Sequence, residues 1–464
     1  MLGTNNSQNR TRMGITLVGV VVVSLLLSGC AQTPTPVATQ APAAAPTATP
    51  PTQAAPSGKT LRIGVLYDYT GPFAAGGSMA AARGTEIAID MVNEKGGVLG
   101  KYKVEAITAD AQSNADVAVA EADRLLNVEK VDALVGIYSS AHAVPIAAKV
   151  DPQKKFVWLG VPSSTAVLKD KNFQYVFRCL PHSDQFGELS PKFLAEMSKK
   201  MMGIEPKDLK VAIIYEDGPY GTGVAAGNER GVTAQGLKLV LKEGYAATSS
   251  DLSALITKLR RAEPDVILHA GYNPDITLFL RQAREQGLKF KALIGHGSGY
   301  AQPEFVDKFK TDIDYFLNVD TPAAQQFDPK VLAPGLGDLT QEYLKRYAQK
   351  TGVSDPPNQA SSGFNFTWLF LNTVVPRALN TYGDWSPDSL RKAALDLDIA
   401  DGGTVSGFGV KFARPGDPMS GQNTRAFPVM TQYVKGKAVV VYPTQISSVA
   451  PVLPLPPENP YAAK

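Results

Sequence analysis

Apolar residues recur along this chain in two alternating rhythms. Compact apolar runs over residues 61–67, 131–137, 156–160 and 175–180, and the apolar–polar alternation of 102–108, read as strands. Between the earlier of them, stretches whose apolar positions return every three or four residues predict helices over 78–95 and 115–127. Gly96-Gly97 ends the first helix. The pattern then repeats. Strands are expected at 209–215, 237–241, 265–270, 292–295 and 315–319, and helices at 220–235, 251–262 and 275–286, the first and last of these closed by Gly236 and Gly287. Strands separated by helices of this length form parallel sheets through right-handed crossovers. Two such series predict two similarly built α/β lobes, each a mainly parallel sheet flanked by helices. Further along, helices are expected at 339–350 and 364–379, and a hairpin at 427–434 and 437–442 turning through Lys435-Gly436. Residues 451–460 are rich in proline and are expected to trail over the surface.

The amino-terminal pattern is different in kind. Arg10 and Arg12 precede an apolar stretch over 15–27, which ends in Leu27-Ser28-Gly29-Cys30. A basic region, an apolar region and then small residues is the order of an export signal, and the apolar stretch is short of the ~20 residues a membrane span needs. The segment resembles a bacterial lipoprotein signal with its lipobox. That resemblance implies cleavage before Cys30, lipidation of its thiol and an extracytoplasmic protein held to a membrane by several acyl chains. Residues 32–57 are almost wholly Pro, Thr, Ala, Gln and Val, without charge or aromatic rings. Such a stretch buries too little surface to offset the entropy of ordering, so it is expected to act as a disordered tether. The expected divisions are a signal peptide at 1–29 and a lipidated, tethered segment at 30–58.

Composition adds three constraints. The chain has 464 residues, too many for one ordinary core, and 44% of them are hydrophobic. A net charge of +3 singles out neither nucleic acid nor an acidic surface as a partner. Beyond Cys30 the only cysteine is Cys179, so the body of an exported protein has no internal disulfide and must rely on its core. Cys179 sits in an apolar run and is expected to be a buried small hydrophobe.

In open parallel sheets, ligands bind beyond the carboxyl ends of the strands. Small hydroxyl residues cluster there: 131–137 runs into Tyr138-Ser139-Ser140-Ala141-His142, and 156–160 into Val161-Pro162-Ser163-Ser164-Thr165. Hydroxyls and free amides at helix N-termini suit a carboxylate or another electron-rich oxygen, yet Ser and Thr also serve as ordinary helix caps, and the pattern leaves both readings open. Catalysis is not indicated. Gly97-Val98-Leu99-Gly100-Lys101 lacks the spacing and hydroxyl of a phosphate loop, and no dinucleotide fingerprint follows 61–67. Gly295-His296-Gly297-Ser298-Gly299 has histidine where a hydrolase elbow requires glycine. His142, His182, His269 and His296 show no metal-ligand spacing. His269 is expected inside a strand, while His142 and His296 stand on cleft-side loops as possible hydrogen-bonding partners of a ligand. No catalytic residue, cofactor or metal is expected.

An ordered set of motifs spans residues 59–445: Tyr69-Thr70-Gly71-Pro72 after the first strand, Asn93-Glu94-Lys95-Gly96-Gly97-Val98-Leu99-Gly100, Asp110, and Gly136 with its serine loop. Pro162-Ser163-Ser164-Thr165, Tyr220-Gly221 and Gly271-Tyr272-Asn273-Pro274-Asp275 follow. In this the chain resembles the type I periplasmic solute-binding proteins, and within them the leucine/isoleucine/valine and amide-binding receptors of ABC importers. The resemblance implies a two-lobed fold with hinge crossovers, lobe 1 comprising 59–181 and 321–424, lobe 2 comprising 182–320 and 425–445, and a tail at 446–464. It implies a monomer that captures a small-molecule solute by hinge closure and docks on a membrane permease, with no chemistry of its own. By position, Ser140, Ser163 and Thr165 fall where the family's first lobe holds a ligand carboxylate, and Tyr272 where an aromatic ring of the second lobe covers the ligand. Tyr220 is a further second-lobe candidate, or only packs its own helix. Two positions depart from the amino-acid receptors. Gly76, beside Gly77, stands where an aromatic residue is expected, and 296–300 lacks the glutamate that pairs with the ligand ammonium. A buried ammonium without an anion is costly. Either Asp320 replaces that acid, or the solute is an amide, urea or small organic acid without an ammonium. The fold is also used by tethered ligand sensors, which sequence alone does not separate from transport receptors.

Overall fold

The computed structural model describes residues 59–447 and 449–463; the expected signal peptide, Cys30 and the tether lie outside the described residues. Two sheets organise the chain. The first is wholly parallel, in the order β2-β1-β3-β4-β5, from β1 (Leu61–Tyr67), β2 (Val104–Asp110), β3 (Ala133–Gly136), β4 (Val157–Leu159) and β5 (Val176–Arg178). Its interior strand β1 is buried along nearly its whole length, as its unbroken apolar run requires of a strand covered on both faces. The second sheet runs β12-β11-β10-β9-β8-β6-β7. Its parallel part is β6 (Lys210–Glu216), β7 (Lys238–Tyr245), β8 (Val266–Ala270), β9 (Ala292–His296) and β10 (Leu317–Asp320), and the hairpin β11 (Val429–Val434) and β12 (Lys437–Tyr442) adds an antiparallel edge.

Helices cover both sheets. Those of the first half are α1 (Met79–Glu94), α2 (Ala115–Asp123), α3 (Ser140–Val150), α4 (Ser183–Met202) and α5 (Pro219–Ala234). They are followed by α6 (Ser253–Ala262), α7 (Asn273–Glu285), α8 (Pro303–Phe309), α9 (Leu336–Thr351) and α10 (Asn358–Leu369). None of the helices among the described residues is long and apolar enough to cross a membrane. Helix α10 returns to the first sheet and crosses α1 so closely that a Cβ on Gly84 would stand 2.0 Å from the Ala360 carbonyl, and one on Gly363 equally close to that of Ala81. This explains why α10 begins six residues before the expected 364: its first turns, Asn358 to Ser362, are polar by composition but buried. Amphipathic periodicity does not reveal a helix buried all round.

Strand β2 starts later than expected because the Asn93 side chain pins the Val104 amide and carbonyl, both at 2.9 Å, while Tyr102 pairs back with Val98. The chain passes between the sheets after β5, after β10 and before β11. The first and last of these passages lie together, for Arg178 and Asn423 exchange backbone bonds at 2.9 Å with Gly421 and Arg178, and the Gln422 and Asn423 side chains donate to the Leu180 and Cys179 carbonyls. Cys179 is fully buried there, and burial pushes its thiol well up.

The proline-rich tail does not trail. Phe290 and Leu455 donate to Tyr461 and Lys291 carbonyls, Tyr461 is fully buried and stacks on Phe290 at 5.7 Å, and Leu455 joins the core between β9 and α7. Proline removes donors but does not keep neighbouring large apolar side chains in water, and Leu453, Leu455 and Tyr461 decide the outcome.

Candidate functional site

The carboxyl ends of β3 and β4 open into two loops that lead into helices. Ser139 caps α3, its Oγ accepting from Ala141 N at 3.1 Å. Ser140 turns its Oγ to the neighbouring loop, where it accepts from Ser164 N at 3.0 Å. The Ser163 carbonyl accepts from Ser183 N at 2.8 Å, and Ser163 itself is buried. Thr165 is tied to the start of α4: its amide donates to Ser183 Oγ and its hydroxyl meets that same oxygen, each at 2.9 Å, with Asp184 N donating to the hydroxyl at 3.3 Å. Ser140, Ser163 and Thr165 are thus brought into one loop cluster with two helix N-termini. The Thr165 hydroxyl is at the same time part of the α4 cap.

From the second lobe, Tyr272 ends the loop after β8 and starts α7. Its ring lies 4.7 Å from Phe73, 5.6 Å from Tyr220 and 6.4 Å from Tyr138, so four aromatic rings from four separate strand-to-helix connections converge. Phe73 is the residue that the sequence reading missed. Gly76 does stand where an aromatic side chain was expected, but Phe73, directly after Gly71-Pro72, supplies a ring from the same loop; the dipeptide itself was the available signal. Tyr220 packs its ring against Tyr272 while its hydroxyl donates to the His296 carbonyl. Glu216 holds the first turn of α5, and hence Tyr220, by accepting from Gly218 N and Gly221 N.

Tyr272 is anchored from behind. Asp275 Oδ1 accepts from Tyr272 N at 2.8 Å and Oδ2 from the Tyr245 hydroxyl at 2.6 Å. His269 lies between Tyr245 and Tyr300, with both contacts at 2.7 Å. Because the Tyr245 proton goes to Asp275, His269 Nε2 donates to Tyr245 and Nδ1 accepts from Tyr300. Burial lowers His269 to about 3, so the ring is neutral. His296 is also a structural residue: Nε2 meets Ser190 Oγ at 2.9 Å and Nδ1 the His269 carbonyl at 3.2 Å, which leaves neither ring nitrogen for a ligand. His142 is buried beside Phe73, with Nδ1 3.6 Å from Asp68 Oδ1.

Asp320 closes β10 at the hinge and is buried. Its Oδ1 accepts from Thr321 N at 2.7 Å, and its Oδ2 has no hydrogen-bond partner among the described residues. Burial pushes its carboxyl up to about 7, opposed by the Thr321 amide and by the Gln359 side chain, which stands near the carboxyl without the geometry of a hydrogen bond to Oδ2. Its charge in turn raises the Tyr220 phenol, after the larger effect of burial, which sets the carboxylate near that ring. Gln359 meets Gln302 of the other lobe at 2.8 Å, and neither glutamine was singled out by sequence.

A pair of lobes joined by hinge crossings, with hydroxyls from the first lobe and aromatic rings from both meeting between them, is the architecture of a solute-binding receptor. The family model "Periplasmic binding protein" matches residues 60–433, and the chain belongs to that family, whose members are extracytoplasmic solute receptors rather than enzymes and work with membrane permeases. A Leu/Ile/Val-binding protein homolog 7 of Brucella abortus (strain 2308) is 33% identical over 392 residues, covering 84% of this chain and 93% of the relative. The branched-chain amino acid substrate-binding protein of Streptococcus pneumoniae in complex with isoleucine superposes with a TM-score of 0.66 at 20% identity, covering 82% of this chain and 99% of its own. A solute-binding protein of R. palustris in complex with 4-hydroxybenzoate gives 0.65 at 18% identity, covering 82% and 95%.

Proposed function

We propose that this receptor captures an α-amino acid with a branched aliphatic side chain and presents it to an ABC permease. The buried Asp320 carboxylate, with Oδ2 unpartnered, is the observation that carries the reading. It stands at the hinge end of a second-lobe strand near Tyr220, where it can meet an ammonium in place of the family's missing glutamate. Ser140, Ser163 and Thr165 form the end that receives the carboxylate, and Tyr272, Tyr220 and Phe73 cover the aliphatic part. Relatives one-third identical that are called Leu/Ile/Val-binding proteins support the same class.

Binding proceeds without chemistry. The solute meets one lobe, the second closes on it, and the closed form docks on the permease as a monomer. Lipidation at Cys30 keeps the receptor on the membrane while the tether lets it move; Cys30→Ala is expected to release it or leave its precursor uncleaved. A thermal-shift panel of leucine, isoleucine, valine, simple amides, urea and small carboxylic acids tests the ligand class, since a solute selective for the native state raises the midpoint by mass action. A rise with an amide or urea and none with any amino acid overturns the reading.

A further inference from the structure

Arg178, at the end of β5, is fully buried, yet forms no ion pair with a carboxylate among the described residues. Asp184, whose charge supports it, is 3.0 Å from Arg230 instead. The guanidinium donates through Nε to Gln422 Oε1 at 2.7 Å, and through Nη1 to the Ser164 carbonyl at 2.5 Å and the Pro162 carbonyl at 3.4 Å; Nη2 has no partner. All its acceptors are neutral. A buried cation in this condition is costly unless an anion balances it.

The carbonyls it holds belong to the loop that carries Ser163 and Thr165. In a trans peptide the C=O and the following N–H point in opposite directions, so drawing the Pro162 and Ser164 oxygens toward Arg178 turns the Ser163 and Thr165 amides away from it. The Thr165 amide goes to Ser183 Oγ. On that far side lie the starts of α3 and α4, held to the same loop through Ser140 and Ser183. The loop is therefore backed by a fixed positive charge and flanked by two helix N-termini, three sources of positive potential with no bonded carboxylate at the guanidinium.

We infer that Arg178 is a positioning residue for the solute: it sets the amide direction of the 162–165 loop, and its unbalanced charge makes the cradle select anionic carboxylates over their neutral amides. The inference rests on the carboxylate end of the proposed function and not on the ammonium end. Matched pairs test it by calorimetry: L-leucine with L-leucinamide, isovalerate with isovaleramide, and 4-hydroxybenzoate with 4-hydroxybenzamide, on the parent, Arg178→Gln and Arg178→Lys. The parent is expected to bind at least one acid about 100-fold more tightly than its amide, and Arg178→Gln to reduce that ratio about tenfold or more, with little change for the amide. Arg178→Lys, which keeps the charge, is expected to retain most of the ratio. A merely structural role would weaken acid and amide alike, and that result overturns the inference. So does a parent that binds no acid, or binds acid and amide equally, a comparison that needs no folded variant. Isovalerate bound selectively without leucine removes the amino-acid reading and leaves the role of Arg178 standing.

Discussion

The Nε2 of Gln302 donates to the Oε1 of Gln359 at 2.8 Å, joining the loop before α8 in one lobe to the first turn of α10 in the other, with both residues buried. A second bond, from Ser164 Oγ to the Pro219 carbonyl at 2.7 Å, joins the lobes at the start of α5. Both bonds would be lost if the lobes moved apart, and each contributes about 0.5–1.5 kcal/mol to holding them together.

Gly77 makes the first of these contacts possible. Its φ is 126°, and a Cβ there would stand 2.9 Å from Gln302 Nε2 and 3.2 Å from both Gln359 and Tyr138. Gly77→Ala is expected to weaken ligand binding by about 1–3 kcal/mol through strain in the closed form. Calorimetry checks the affinity, and small-angle scattering should show that ligand no longer compacts the protein fully. Unchanged binding would show that the lobes close without this approach.

The ring cluster gives a separate expectation. Phe73 and Tyr272 touch at 4.7 Å from opposite lobes, so Phe73→Ala removes a wall of the site and half of an interlobe contact. It should reduce affinity by about 1–3 kcal/mol, mainly through faster release measured by stopped flow. Its effect on the unfolding midpoint without ligand should be much smaller, since Phe73 is only partly buried.

How far the sequence reveals this molecule depends on the kind of element. Strands β1, β6 and β8 are legible because a two-sided sheet needs unbroken apolar runs, and α4 and the first turns of α10 are not, because each buries small polar residues against a neighbouring helix or the hinge. The serine loops are legible as helix starts; their partners are not. Thr165 bonding to Ser183 and Gln302 to Gln359 join residues that the chain brings together only by crossing between lobes, and Arg178 meets the Ser164 carbonyl only through the pairing of β4 with β5. His296 is the converse case: a loop-like setting by sequence, but the end of β9 in three dimensions, bonded through both ring nitrogens.

The tail offers a test of stability rather than binding. Tyr461→Ala empties a fully buried site between Phe290 and Phe316 and removes the bond from its hydroxyl to the Leu280 carbonyl. The expected loss is about 3–5 kcal/mol by denaturant unfolding, with ligand affinity little changed in the folded protein. A loss below about 1 kcal/mol would return the tail to the surface role its prolines suggest.

The role of Asp320 is tested most directly by measuring leucine affinity and proton release together, from about pH 5 to pH 8, in the parent and in Asp320→Asn. Without ligand the Asp320 carboxyl titrates near 7, raised by burial, so below that value it is largely protonated and must lose its proton to face an ammonium. Affinity in the parent should therefore rise with pH by up to about tenfold per unit and level off above about 7, with protons released on binding in the lower range. Stability without ligand carries the opposite sign: a carboxyl raised above its unfolded value contributes most below about 4, and that contribution is lost as pH rises through 7. Asp320→Asn should bind leucine far more weakly and lose this proton release. Tight, pH-independent binding of leucine by both proteins would contradict the account.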